Sequence, residues 1–138
     1  FDAELLAPRY RATEQALALL VRAGRLVGPR SAGGKVLVQT HTPRHELLQA
    51  VVLADPQRVM DGELARRRLF ALPPYGALAA VEGEGAAEFA AETGLQSATT
   101  AKGVLLRAGS WEELGAALEL APRPKGSRLR IAVDPLRV

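Results

Sequence analysis

The sequence predicts an α/β chain in two small units, a helix-strand-helix-helix segment followed by a βαβαβ segment. Three observations predict it. Helix start signals recur at Thr42-Pro43, at Asp55-Pro56 and at Ser110 with Glu113 three residues on, the last a capping box. Lys35–Thr40 is a short β-branched run, and residues 128–134 alternate cleanly between apolar and polar. Between the two patterns stands Leu72-Pro73-Pro74-Tyr75-Gly76, where two prolines fix φ and Gly76 permits a turn. A length of 138 residues suits one domain or two small ones.

Taken in order, residues 10–26 read as a helix with Leu17, Leu20 and Val21 as its apolar stripe. Gly28-Pro29 stops it, and Ser31–Gly34 is loop. Lys35–Thr40 reads as a strand. The next helix starts at Thr42-Pro43 and runs to about Ala54, burying Leu47, Leu48, Val51 and Val52. Another runs from Asp55-Pro56 to about Leu69, with Val59, Met60 and Leu64 on its apolar side and Arg66–Arg68 on the other. The break at 72–76 sets the domain boundary, giving units 1–71 and 72–138. Beyond it come strand 77–82, helix 85–93, a loop over 94–102, strand 103–108, helix 111–120 and strand 128–134. In the last strand Leu129, Ile131 and Val133 face the helices, while Arg128, Arg130 and Asp134 face away.

Composition excludes several classes. With 48% hydrophobic and 24% charged residues the chain is not of disordered type. It lacks any run of about 18 apolar residues, so no transmembrane helix is expected. Cys is absent, which rules out disulfides and thiolate zinc ligands within these residues. The chain opens on Phe1 with no basic segment ahead of an apolar stretch, and reads as a fragment of a longer protein without a visible targeting signal. Net charge is +3, and all but three of the 18 basic residues are Arg. Charge is unevenly spread. Residues 82–92 hold four acids and no base, whereas 122–138 hold Arg123, Lys125, Arg128, Arg130 and Arg137 against Asp134. Two readings fit this tail: the solvated surface of an Arg-rich chain, or a face for phosphates, with Arg107 joining if its side of the strand matches.

Other features carry less chemistry. The stretch Gly28-Pro-Arg-Ser-Ala-Gly-Gly-Lys35 departs from a P-loop: an extra Gly displaces the Lys, Val36 follows it, and a strand comes next where a helix is needed. His41 and His45 have a spacing that would suit two helical metal ligands, but Pro43 lies between them and no third ligand is near, so turn or cap packing is expected and no metal site. Asp55, Asp61 and Glu63 read as a helix-start cluster favoured by the macrodipole. Trp111, Tyr75 and Phe89 are too scattered for a base-stacking platform.

One constellation is more specific. Gln39-Thr40, then Pro43 and His45, then Gln49-Ala50, then Glu63 with Arg67-Arg68, then Pro73-Pro74-Tyr75 resembles, in order and spacing, the primosomal protein N′ family of PriA-type replication-restart helicases. The likeness is strong over 22–83 and consistent to the end, where Ile131-Ala-Val-Asp-Pro135 is similar to the family's closing strand. The family's motif VI, Gln-Val-x-Gly-Arg-x-Gly-Arg, matches Ala18–Arg25. Arg22, Gly24 and Arg25 are kept, while Ala18 and Val21 replace the Gln and the first Gly. In the family those arginines reach the ATP γ-phosphate. Their altered setting is similar to the actinobacterial-type branch with degraded motor motifs.

The resemblance implies that 1–71 is the end of the second RecA-like lobe and 72–138 a small α+β domain that binds DNA through Arg107, Arg123, Lys125, Arg128 and Arg130. It implies a fragment that binds branched or single-strand/duplex junction DNA and supports primosome assembly, with helicase activity reduced or lost. Single-strand-binding protein and other primosome proteins are the implied partners, no membrane is involved, and the setting is cytoplasmic and nucleoid-associated. ATP with magnesium, and zinc, are implied only for the full-length family; none is expected within this chain. Two alternatives stay open: a fragment of an active ATP-dependent 3′-5′ helicase using Arg22 and Arg25, or a protein-docking domain without DNA contact.

Overall fold

The computed structural model describes residues 1–126 and 128–135. Arg137, counted above in the basic tail, lies outside them. The chain divides into two compact units, Phe1–Ala65 and Arg66–Val138, with the division inside one helix.

The first unit is helical: α1 (Asp2–Leu5), α2 (Ala12–Val27), a 3-10 turn at Arg30–Ala32, α3 (Glu46–Leu53) and the start of α4 (Gln57–Leu69). Its core joins Leu5, Ala16, Leu20, Leu47, Ala50 and Val59. Ala12, Ala16 and Leu20 recur every four residues and form the buried stripe of α2, whereas Val21 is exposed.

Three expectations fail here. Lys35–Thr40 forms no strand. A β-branched run becomes a strand only by pairing, and all four described strands belong to the other unit. The helix expected from Thr42-Pro43 begins at Glu46 instead. Pro43 follows Thr42 in a turn closed by His45 N–H to the Thr42 carbonyl at 3.0 Å, and His45 becomes the cap, its Nδ1 accepting from Leu47 N–H at 3.2 Å. Val51 and Val52, expected in the core, are exposed; α3 buries only the face carrying Leu47 and Ala50.

The second unit holds a four-stranded antiparallel sheet of order β2-β3-β1-β4, from β1 (Ala77–Glu82), β2 (Gln96–Thr100), β3 (Gly103–Ala108) and β4 (Arg130–Val133). The α/β class holds, with one strand more than expected: β2 occupies the stretch read as loop. Its Gln-Ser-Ala-Thr-Thr sequence is polar and exposed, because it is an edge strand without an apolar face, so no alternation marks it. α5 (Ala86–Glu92) and α6 (Trp111–Leu120) pack on one face. Phe89 and Leu114 meet Ala77, Ala79, Val81, Val104 and Leu106 there, with Leu129 and Ile131 at the margin. Gly103 sits where β3 crosses close to β1, and a Cβ on it would overlap the Val81 carbonyl oxygen. The Ser110 hydroxyl accepts from Glu113 N–H at 3.1 Å, as the capping box predicts, while the Glu113 carboxylate reaches past Ser110 to Gly109 N–H at 2.7 Å.

Candidate nucleic-acid interface

The antiparallel register sorts the basic residues by face. Ala79 pairs with Leu106 and Val133, and Val81 with Val104 and Ile131, so these residues share the helix-covered side. Arg107 pairs with Leu78, and Arg130 with Glu82, on the opposite side. Arg107 and Arg130 therefore leave the same face, but four residues apart along β1, roughly 13 Å at about 3.3 Å per residue. The register does not gather them into one cluster. Arg107 donates to the Phe70 carbonyl, and Arg130 stands 3.5 Å from the Glu82 carboxylate with its own side chain largely exposed.

Arg123, Lys125 and Arg128 are exposed in the segment joining α6 to β4. Arg128 precedes the strand. Its carbonyl oxygen packs against Gly83, whose φ of 112° and missing Cβ permit the approach; any side chain there would overlap that oxygen. This approach sets the basic segment beside the Glu82–Glu84 turn. The carboxylates there oppose the arginines, so the patch is less positive than its sequence count implies. Neither the Gly83 approach nor the Glu82 pair shows in local sequence; both follow from β1 and β4 being neighbours.

The motif residues behind the resemblance occupy definite places. In the second unit Arg67 is 5% exposed and donates to the Pro73 carbonyl at 3.2 Å. Arg68 lies 4.8 Å from the centre of the Tyr75 ring and donates to its hydroxyl. Pro73 is buried and Pro74 exposed, and the bond between them is cis. The Arg-rich end of α4 and the Pro-Pro-Tyr turn thus hold one another. In the first unit Glu63 is buried, Gln39 is exposed, and Thr40 donates to the Asp2 carboxylate. Pro43 and His45 build the turn and cap of α3. Arg22 and Arg25 are exposed on α2 beside Gly24, three residues apart and so on neighbouring positions of one helix face.

The same Asp2 carboxylate accepts from His41 N–H at 2.8 Å and lies 2.9 Å from its Nδ1. These bonds, the His41 backbone first and then Thr40, hold its pKa down at about 2. Among the described residues no group of three or more His, Asp or Glu could hold a metal ion, and no helix is long and apolar enough to cross a membrane.

The chain is similar to the replication restart protein PriA of Synechocystis sp., 35% identical over 69 residues, which is 50% of this chain and 8% of that protein. It is similar also to the replication restart protein PriA of Bacillus subtilis, 34% identical over 80 residues, 58% of this chain and 10% of that protein. The chain thus spans a tenth or less of the length of these relatives. No family model matches it. The resemblance to PriA-type proteins is borne out by these relatives.

Proposed function

We propose that this chain is the C-terminal part of a PriA-type replication-restart protein whose second unit holds branched DNA by its phosphates. On this reading residues 1–71 end the second RecA-like lobe and 72–138 form the DNA-binding domain of a cytoplasmic, nucleoid-associated primosome component. The observation that carries it is the exposed run Arg123, Lys125, Arg128 and Arg130 on a unit of a chain similar to PriA. Among the described residues no aromatic ladder accompanies the run, and on this reading recognition follows shape and charge rather than sequence.

Forked-DNA affinity measured against salt tests this. Removing one cation that neutralises a duplex phosphate should flatten the slope of log K against log salt by about 0.9. Replacing Arg128 and Arg130 together by Ala should weaken binding equally on all sequences and flatten the slope by about two such steps. Glu82→Gln frees Arg130 from its carboxylate and should raise affinity. Unchanged affinity in both variants at low salt, with circular dichroism confirming the fold, moves the DNA surface elsewhere. For the motor, Ala18 and Val21 beside Arg22 and Arg25 support reduced ATP hydrolysis by the full-length parent. Turnover of roughly 1–1000 per second on forked DNA would restore the active-helicase reading.

A further inference from the structure

The turn that follows α4 is tied down at several points, yet it holds two aromatic rings in solvent. Leu72 N–H donates to the Arg67 carbonyl and Tyr75 N–H to the Leu72 carbonyl, both at 2.9 Å, while buried Arg67 donates to the Pro73 carbonyl at 3.2 Å. Gly76 packs so closely that a Cβ on it would overlap the Ala71 carbonyl oxygen. Arg107 fixes the turn from the sheet side through the Phe70 carbonyl. Within this frame Phe70 and Tyr75 are exposed. The Arg68 guanidinium lies 4.8 Å from the centre of the Tyr75 ring and donates to its hydroxyl at 3.4 Å. A cation–π pair at an exposed site adds little to stability, so the weight of this one in holding the fold is small.

The surroundings point to the kind of ligand. Between Glu63 and Glu82 the chain carries Arg66, Arg67 and Arg68 and no acid. A tyrosine ring and a guanidinium plane both stack on nucleobases, and cations beside them favour the phosphates of the same strand. Arg107 leaves the sheet face opposite the helices, so its bond to Phe70 sets the turn at one end of that face. Arg130 leaves the same face roughly 13 Å away along β1. We propose that Tyr75, with Arg68 beside it, stacks one unpaired base of a DNA strand where that strand leaves a duplex held by the basic run. The sequence shows Tyr75 only as an isolated ring; the fold supplies the Arg68 plane and the rigid frame. Every base has a π-face, so the contact is tolerant of sequence. The inference rests on the DNA-binding reading for the strand, and adds to phosphate contacts a stacking contact that releases no counterions.

The whole 138-residue chain is titrated, over a salt series, with a duplex bearing a single-stranded oligo-dT arm and with the same duplex whose arm is abasic next to the junction. The intact arm should bind about tenfold tighter than the abasic one, as expected for one base stacked on one aromatic ring. Tyr75→Leu should bring the two affinities together and leave the slope of log K against log salt unchanged. Tyr75→Phe keeps a ring and should keep the gap. In the unaltered chain, 5-iodouracil placed next to the junction should photocrosslink to Tyr75, a readout that does not depend on how any variant folds. Equal affinities for the two arms, crosslinks only to other residues, or a Tyr75→Leu variant that keeps the gap each overturn the stack. A salt slope that flattens on replacing Arg128 and Arg130 then leaves the phosphate reading standing. A gap lost in Tyr75→Leu, with a salt slope indifferent to Arg128 and Arg130, keeps the stack and overturns the phosphate surface. No binding to either duplex overturns both.

Discussion

Phe89, Leu106 and Leu114 of the second unit are 0%, 0% and 1% exposed, while Leu26, Leu37 and Val52 of the first stand 90%, 94% and 84% exposed. Both regions are rich in apolar residues; they differ in whether a partner surface lies within the described residues. β1 has a strand on each side and two helices above, so its alternation closes a core. The run Lys35–Thr40 has equal β-propensity and nothing to pair with among the described residues. An open apolar groove of about 360 Å³ lies beside it, lined by Leu20, Val36, Val38, Leu48, Val51 and Val52. Propensity proposes a strand and pairing decides it.

The largest expected effect tests whether the two cores stand apart. Phe89→Ala removes the largest fully buried side chain of the second unit and should cost about 3–5 kcal/mol, read as a lower denaturant midpoint in Trp111 fluorescence. Leu47→Ala, at the centre of the first core, should cost about 2–5 kcal/mol in the helical circular-dichroism signal, with the Trp111 midpoint unmoved. A Trp111 midpoint that shifts as far for Leu47→Ala as for Phe89→Ala would break the comparison.

This division also marks what was legible in the sequence. The second unit can be read almost element by element, because Ser110 with Glu113 and the alternation of Leu129 and Ile131 are local signals agreeing with the tertiary outcome, although Val133 of the same stripe is 54% exposed. β2 escaped because an edge strand of polar residues carries no burial pattern. The first unit reads correctly at α2 and α4 and incorrectly at the start of α3, at Lys35–Thr40 and at Val51 and Val52, whose fate depends on neighbours. The candidate interface was half legible. Arg107 and Arg130 do share a face, as alternation implies, but only the register shows them to be far apart, and only strand order reveals that Glu82 faces Arg130.

A smaller effect sharpens the comparison at two helix ends. α3 closes on Ala54 with φ 55°, its N–H reaching Ala50 and Val51 carbonyls and Asp55 N–H following to Ala50 at 2.8 Å. α5 is followed by Gly94 with φ 67°. A left-handed residue thus closes both helices, Ala at the C-cap of α3 and Gly one residue beyond the C-cap of α5. That conformation costs an L-residue about 1–2 kcal/mol, partly offset by the extra unfolded-state freedom of Gly. Ala54→Gly should therefore stabilise the first unit by about 0.5–1 kcal/mol, and Gly94→Ala should destabilise the second by a similar amount, since open space around Gly94 leaves only the backbone effect. Thermal melts of the two variants check both signs; shifts in the same direction would refute the reading of Ala54 as strained.

The smallest effect concerns acid. Glu112 in the second unit has its carboxyl held below the ordinary value by its own backbone N–H and the Ser110 hydroxyl, a local arrangement that the unfolded chain can also form in part. Asp2 in the first unit is held at about 2 by His41 and Thr40, residues 39 and 38 positions away, so those bonds vanish on unfolding. A carboxyl whose folded pKa lies below its unfolded value contributes stability that is full above the ordinary value of 3.8 and is lost as pH falls towards 2. Water and salt screen the His41 side chain, which is 97% exposed, and keep the contribution modest. Asp2→Asn should accordingly lower the stability of the first unit at neutral pH and flatten its loss between pH 3.8 and 2, with Trp111 fluorescence of the second unit as the internal reference. An acid limb of the same steepness in both proteins would show that the Asp2 bonds persist in the unfolded chain or contribute nothing to holding the first unit together.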